Sequence, residues 1–443
     1  MIEDILTPFV ERSGITVYKG DCVETMRRMP EASVDAIVTD PPYGLEFMGK
    51  DWDAPWKNDG DVLDDPASVG GFQDGAGGKP YSRSRIRYGR SSGFQEWTES
   101  WAREAFRILK PGGHLLAFAG TRTYHRMASG VEDAGFEIRD CIAWMYGSGF
   151  PKSLDVSKAI DKGAGHWRGK AGSVYSPNGS MAGPNYERTE KGEPVTPAAA
   201  KWSGWGTALK PAFEPIVVAR KPLIGTVAQN VLEHGTGALN IDATRIGWAY
   251  DGEADEVDKR TAPNTRGSER SGNVLNRPSA PTVNVNAGGR WPANVALDET
   301  SAAILDEQSG EIKSVPFKAT TERAQADRQN VSFAEMDYSG RGYTDTGGAS
   351  RFFYCAKASK RDRNTNGAVN THPTVKPTEL MRWLIRLVTP PGGIILDPFG
   401  GSGSTGVAAQ ADSVRCILIE REDEYLQIIR DRLDDGSLFS ELA

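Results

Sequence analysis

Two short stretches of this 443-residue chain carry residue types able to do chemistry. The first is Asp40-Pro41-Pro42-Tyr43, which follows the apolar run Ala36-Ile37-Val38. Proline has no amide N–H for a sheet ladder and a fixed φ, so two prolines end the strand on a stiff corner. That corner presents a carboxylate and an aromatic ring. The second is Asp397-Pro398-Phe399-Gly400-Gly401-Ser402-Gly403-Ser404-Thr405-Gly406, in which Gly401, Gly403 and Gly406 fit G-x-G-x-x-G. Such a turn lets backbone approach a ligand closely. Glu420, at the end of the next apolar run, is placed to accept hydrogen bonds from a ribose diol. The pair points to an adenosine-type cofactor. A dinucleotide would set its pyrophosphate on the helix N-terminus. Asp397 would repel phosphate there and would pair with a cationic amino group, which favours S-adenosylmethionine over NAD.

The elements that must hold these residues alternate between strands and helices. Residues 15–160 read as strand Ile15–Asp21, a short helix from Cys22, strand Val34–Asp40, a helix, and strands at His114–Gly120 and Phe136–Gly147. In that helix Trp97, Trp101, Ala105, Ile108 and Leu109 repeat along one face. The rhythm resumes at Phe213–Pro222 and again from residue 376, where Leu380, Trp383, Leu384, Leu387 and Val388 form a helical stripe. Both Leu109–Gly120 and Val388–Gly401 follow one plan: amphipathic helix, Pro-Gly-Gly stop, hydrophobic strand. The expected fold is therefore α/β, a Rossmann-like, doubly wound, mostly parallel sheet with helices on both faces. Residues 161–206 read as a flexible insertion rich in Gly, Pro, Ser and Asn, and 54–93 as a mobile loop. Residues 207–224 read as a returning strand of the same sheet. Residues 225–360 are polar and read as a separate, loop-rich region, with 361–435 as the cofactor-binding half.

Composition narrows the class. Net charge is −7, charged residues are 25% and hydrophobic residues 38%, as in a soluble globular protein. Four scattered cysteines, without CxxC or nearby histidine, argue against a disulfide framework and against a metal site. The N-terminus is acidic and no apolar run is long enough to cross a bilayer, so a cytoplasmic location without membrane contact is expected.

Taken together, the motifs resemble those of amino-group DNA methyltransferases. Asp40-Pro41-Pro42-Tyr43 resembles motif IV and the Asp397–Thr405 loop motif I; their order resembles the permuted β class, of the N6-adenine/N4-cytosine type. Tyr18–Cys22 is similar to motif III, Leu418–Glu420 to motif II, Ala143–Pro151 to motif VIII and His372–Pro377 to motif X. The resemblance covers roughly residues 15–160, 207–222 and 370–433. It implies catalytic roles for Asp40, Pro41, Pro42 and Tyr43. It implies S-adenosylmethionine contacts from Asp21, Cys22, Asp40, His372, Thr374, Lys376, Asp397, Pro398, Phe399, Gly401, Gly403, Ser404, Thr405 and Glu420. Residues 15–160 would then hold the catalytic half and 225–360 a target-recognition region.

On that reading Asp40 and the Pro41 carbonyl would hydrogen-bond an exocyclic amine while Tyr43 stacks on a base turned out of double-stranded DNA, a step costing a few kcal/mol. The acid in the motif favours adenine N6; cytosine N4 is the alternative. No Pro-Cys nucleophile is present and no metal is required. Basic stretches at 220–222, 258–277 and 357–364 would contact phosphate. The resemblance is compatible with a homodimer and with a separate restriction endonuclease as partner. Other classes stay open: an RNA or protein amide methyltransferase, a non-catalytic DNA-binding protein, and an NAD oxidoreductase. Taken singly, Asp40 reads as a turn cap, Asp21 as a loop acid, Glu420 as a solvated strand-end acid and Lys376 as a solvated helix-start lysine.

Overall fold

The computed structural model describes residues 7–44, 91–149, 153–166, 168, 192–247, 289–313, 346–356, 362, 364–365, 368–372 and 374–434. The chain divides into two compact units. The first comprises Met1–Pro41, Thr98–Gly147 and Glu214–Ala443, the second Pro42–Trp97 and Ser148–Phe213.

The first unit is built on a sheet whose strands run β1 (Val10–Arg12), β2 (Ile15–Lys19), β3 (Val34–Thr39), β4 (Leu109–Phe118), β5 (Glu137–Met145), β6 (Phe213–Arg220) and β7 (Val295–Asp298). A small ribbon pairs β8 (Ile312–Lys313) with β9 (Thr346–Gly347), then β10 (Tyr354–Ala356) returns to the main sheet. A second ribbon pairs β11 (Asn364–Thr365) with β12 (Ala368–Val369), before β13 (Ile394–Asp397) and β14 (Arg415–Glu420). Among the described residues the main sheet has ten strands in the order β1-β2-β14-β13-β3-β4-β6-β5-β7-β10. β2, β14, β13, β3 and β4 are mutually parallel, and β6 runs antiparallel to β4. Every residue of β3 is buried, as are the last three of β13, so both strands read as continuous apolar runs rather than alternating ones.

Among the described residues the helices are α1 (Cys22–Arg27), α2 (Ser91–Ile108), α3 (Tyr124–Asp133), α4 (Val156–Gly163), α5 (Pro197–Lys201), α6 (Val227–His234), α7 (Glu299–Ser309), α8 (Thr378–Val388), α9 (Ser404–Ala411) and α10 (Asp423–Asp434). In α8 the stripe expected from sequence is buried: Leu380, Trp383, Leu384, Leu387 and Val388 all lie inside. In α2, Trp101, Ala105 and Ile108 are buried, but the buried face continues through Phe94 and Thr98, and Trp97 is only half-buried.

The chain runs from β13 through α9 to β14 on one side, and from β3 through α2 to β4 on the other. The direction of winding therefore reverses between β13 and β3, which are neighbours paired at Ile395↔Ala36 and Leu396↔Ile37. In open α/β sheets such a reversal opens a crevice at the carboxyl ends of the strands.

The Pro-Gly-Gly segments depart from the shared plan in one respect. After α8 the segment separates helix from strand, with Gly392 at φ 72°. After α2 the backbone enters β4 directly at Leu109, and Pro111-Gly112-Gly113 forms a bulge within the strand: Val34 faces Leu109, yet Ala36 faces His114. Gly112 takes φ 76°, and a Cβ on Gly113 would lie 2.8 Å from the Asp35 carbonyl, so neither position tolerates a side chain.

Residues 225–360 do not stand apart from the sheet where they are described. Asn230 of α6 is buried; its amide donates to the carbonyls of Pro111 (2.9 Å) and Thr236 (2.8 Å) and accepts from Ile224 N–H (2.9 Å). Strand β7 pairs with β5 and β10. Trp383 donates to Thr244 O at 3.2 Å, and Tyr354 stacks on the Trp383 ring at 4.9 Å. Polar composition concealed these anchors because each is one or two residues among many solvated ones. Residues 54–90 of the expected loop and 248–288 and 314–345 of the polar region lie outside the described residues.

The described residues of the second unit include α4, α5 and a buried polar cluster between them. Asp161 of α4 is fully buried and accepts from Val195 N–H (2.9 Å), Thr196 N–H (3.0 Å), the Thr196 hydroxyl (2.7 Å) and Arg168 Nε (2.5 Å). Burial alone would raise the carboxyl pKa, but these donors outweigh it and hold Asp161 below the usual carboxylate range. Thr196 in turn caps α5 through Ala199 N–H. Residues 169–191 of that insertion are outside the described residues.

Candidate functional site

Asp40 follows the last residue of β3, and Asp397 is the last residue of its neighbour β13. Thr39 fixes their junction. Its hydroxyl donates to Asp397 Oδ1 at 2.6 Å, while Thr405 donates to Oδ2 at 2.5 Å and Phe399 N–H to Oδ1 at 3.0 Å. Burial raises the Asp397 pKa to about 7 against the opposing pull of these three donors. The sequence reading gave Asp397 to a cofactor ammonium and Thr405 to direct cofactor contact. In the structure the two bond each other; the carboxylate is only 2% exposed, and it clamps the glycine loop to the end of β3.

The loop after β13 has the geometry its glycines foretell. Gly401 and Gly403 are left-handed, at φ 52° and 80°. A Cβ on Gly401 would lie 3.2 Å from His372 Nε2, one on Gly403 3.1 Å from Ile429, and one on Gly406 2.7 Å from Leu418. The first two make the turn and the third lets α9 pack on β14. Pro398 is buried, and Phe399 meets Trp101 edge-on at 5.4 Å. Ser404 sits against the buried Arg432, whose guanidinium donates to Ser402 O (2.7 Å) and Ser404 Oγ (3.2 Å). Ser404 therefore holds the loop to α10.

Glu420 ends β14. Its Oε2 accepts from Gly401 N–H at 2.7 Å, and Oε1 from Arg421 and Glu422 N–H, each at 2.8 Å. Burial raises its pKa, opposed by those backbone donors. Three of a carboxylate's roughly four acceptor positions are thus filled, and one is left for a ligand hydroxyl. Lys19 and Glu420 are register partners, so Asp21 and Cys22 lie at the neighbouring strand end. Asp21 is the N-cap of α1, accepting from Val23 and Glu24 N–H at 2.9 and 3.1 Å. The Cys22 thiol is buried and pushed up to about 12, which makes it inert.

Motif-X residues divide between the two halves of the site. His372 packs edge-on against Tyr425 at 4.5 Å, with Nδ1 2.9 Å from Thr374 O, and burial lowers its pKa to about 4. It is neutral and faces Gly401. Thr374 is exposed, and its N–H donates to the same Nδ1 at 3.3 Å. Lys376, by contrast, reaches Asp40. Its ammonium lies 2.7 Å from Asp40 Oδ2 and 3.2 Å from Glu214 Oε2, and 4.9 Å above the Phe118 ring. Its side chain is 5% exposed, far from a solvated helix-start lysine. Pro41 is buried beside Asp40; Pro42 and Tyr43, both half-buried, open the second unit.

Glu214, Thr39 and Arg432 were not singled out by sequence. Each left a faint sign: an acid at the head of the apolar strand β6, a hydroxyl just before Asp40, and an arginine within the buried stripe of α10.

The basic stretch 220–222 has structural roles. Arg220 is buried and ion-paired with Glu137 at 2.7 Å, and Lys221 donates to the carbonyls of Phe106 and Leu109 at 2.7 Å. Lys221 thus caps the end of α2, and Arg220 ties β6 to β5. Residues 258–277 lie outside the described residues, as do 357–361 and 363 of the third basic stretch. Among the described residues no cluster of His, Cys, Asp or Glu could hold a metal ion.

Comparisons with known proteins agree with this frame. The chain is similar to the type II methyltransferase M.HindIII of Haemophilus influenzae, with 31% identity over 232 residues, covering 51% of this chain and 64% of that protein. It is also similar to the type II methyltransferase M2.DpnII of Streptococcus pneumoniae, with 51% identity over 63 residues, 14% of this chain and 24% of that protein. The chain thus spans less than two thirds of either relative. A solved structure of PvuII DNA methyltransferase, described as cytosine-N4-specific, aligns with a TM-score of 0.41 and 14% identity over 97% of this chain and 92% of that one. The family model described as DNA methylase, of the N6/N4 methyltransferase type, matches residues 34–431, nearly the whole chain, and the protein belongs to that family.

Proposed function

We propose that this protein transfers a methyl group from S-adenosylmethionine to an exocyclic amine of double-stranded DNA, adenine N6, in a base turned out of the duplex. The observation that carries the reading is the junction of β3 and β13, where the Asp40 corner and the glycine loop leave adjacent parallel strands at the point where the winding reverses. Family membership supplies the reaction class.

The residues fit the cofactor. Gly401 and Gly403 make a turn with no room for side chains, and Glu420 keeps an acceptor position for a ribose hydroxyl. A pyrophosphate fits poorly, because Gly401 N–H is already given to Glu420 and two buried acids flank the loop. When bound, S-adenosylmethionine supplies an electrophilic methyl on a sulfonium.

The chain's own residues do the rest. An aromatic amine is a poor nucleophile because its lone pair is shared with the ring. Hydrogen bonds from the amine to Asp40 and to the Pro41 carbonyl would pull it towards tetrahedral geometry and localise that pair. Tyr43, held by the same two prolines, offers a ring for stacking, at roughly 1–3 kcal/mol. Holding both reactants in line supplies much of the acceleration. The proton released after transfer passes to Asp40 or to water. Recognition of a base sequence by residues 225–360, a homodimer, a companion restriction endonuclease and a cytoplasmic location belong to the same proposal. Among the described residues no helix is long and apolar enough to cross a membrane.

The test is transfer of labelled methyl from S-adenosylmethionine to unmethylated duplex DNA, followed by digestion to nucleosides. Label in N6-methyladenine is the expected result. Label in N4-methylcytosine would move the target to the other amine of the family, and label only in RNA or protein would overturn the DNA assignment.

A further inference from the structure

Lys376 is the one motif-X residue described here that touches the acid of the catalytic corner. The resemblance assigned it to the cofactor. Its surroundings say something different.

A lysine ammonium is stable at 5% exposure only when paired. Lys376 is paired twice, with Asp40 at the end of β3 and with Glu214 at the start of β6, two strands away in the sheet order. Burial pulls its pKa down, but the two carboxylates outweigh that and keep it above the ordinary lysine value. Phe118 of β4 covers the cation at 4.9 Å. Tyr146, just beyond β5, senses the same charges: its pKa is raised by burial and then by Glu214, and drawn down by Lys376. The set Asp40, Lys376 and Glu214 carries a net charge of −1, a favourable neighbour for a cationic methyl donor.

Two things follow from the distances. The shorter contact, 2.7 Å, holds Oδ2 of Asp40 in one orientation. The longer, 3.2 Å, ties the ammonium to a strand that makes no contribution to the motifs.

We propose that Glu214 and Lys376 are positioning residues for the acceptor carboxylate: Glu214 holds the ammonium, and the ammonium holds Asp40 aimed at the incoming amine. This rests on the reading of Asp40 as the amine's hydrogen-bond acceptor.

The experiment compares Lys376→Met, Glu214→Gln, their double variant and Asp40→Asn in the full-length protein. It measures kcat and KM for transfer of labelled methyl to unmethylated phage DNA, and S-adenosylmethionine affinity by equilibrium binding. Lys376→Met should lower kcat roughly 10- to 100-fold, the worth of one charge-assisted hydrogen bond, with cofactor affinity within about 3-fold of the parent. Glu214→Gln should lower kcat less, and should add little on the Lys376→Met background, since the two act in series. If Lys376→Met does not fold, Glu214→Gln alone carries the test. An inactive Asp40→Asn beside fully active Lys376→Met and Glu214→Gln overturns the relay. So does a loss confined to cofactor affinity, which returns Lys376 to the cofactor. An active Asp40→Asn overturns the parent reading of the corner, and the relay with it.

Discussion

The Thr39 hydroxyl donates to Asp397 Oδ1 at 2.6 Å across 358 residues of sequence. This buried contact joins the strand that leads to Asp40 to the strand that leads to the glycine loop. Thr39→Val keeps the shape and removes one of the two donors to Oδ1 of a buried carboxyl, leaving it only the longer bond from Phe399 N–H. The expected cost is about 1–3 kcal/mol of stability in chemical denaturation, with weaker cofactor binding in the same variant. Unchanged stability and unchanged affinity would show that the contact does not hold the junction.

Asp397 also sets a pH dependence. Its folded pKa is about 7 against an ordinary 3.8, so the folded state holds this proton over a range in which the unfolded chain has lost it. Its contribution to stability is therefore fully present below about 3.8 and is lost as pH rises through about 7. Asp397→Asn should flatten the fall in stability between pH 5 and pH 8.5, by on the order of 1–4 kcal/mol. Denaturation curves of both proteins at the two pH values check this; parallel pH dependence would contradict it.

Gly406 has no spare room. A Cβ there would sit 2.7 Å from Leu418 Cδ1, between α9 and β14. Gly406→Ala should force α9 off the strand, cost about 1–3 kcal/mol, and reduce cofactor affinity by tilting the loop that precedes it. Thermal unfolding and equilibrium cofactor binding give the two readouts.

The second unit can be tested by itself. Asp161 is fully buried and paired with Arg168, whose side chain is 4% exposed. Asp161→Asn leaves that guanidinium buried without its counter-charge, at a cost of about 3–5 kcal/mol. Hydrogen exchange should accelerate over residues 153–166 and 192–206, with β3, β13 and β14 unchanged. Uniform acceleration across both units would contradict a local role.

Much of the fold was legible because periodicity and punctuation act locally. β3, β13 and β14 are apolar runs with stops, and α8 and α10 are stripes, so each could be read without knowing its neighbours. The glycine turn was legible from its spacing alone, although the steric demand at Gly403 and Gly406 comes from Ile429 of α10 and Leu418 of β14. What sequence could not supply was which long-range partner a polar group would choose. The bonds that Asp397 accepts from Thr39 and Thr405 were not foreseen, because the first depends on β3 lying beside β13. Lys376 was assigned to the cofactor because Glu214 arrives from a strand with no motif. Residues 225–360 were read as a separate region because Asn230, Thr244 and Tyr354, which tie it to the sheet and to α8, are single residues within polar surroundings.

The central claim is that two distant segments form one transfer site where β3 and β13 end side by side. A structure of the protein with S-adenosylmethionine bound tests it most directly. The adenosine is expected against Glu420 and the methyl-bearing sulfur directed towards Asp40, leaving space for an amine at an attack distance of about 3–3.5 Å from the methyl carbon. A cofactor bound at another edge of the sheet, or one seated on the glycine loop with its methyl turned away from Asp40, would contradict it.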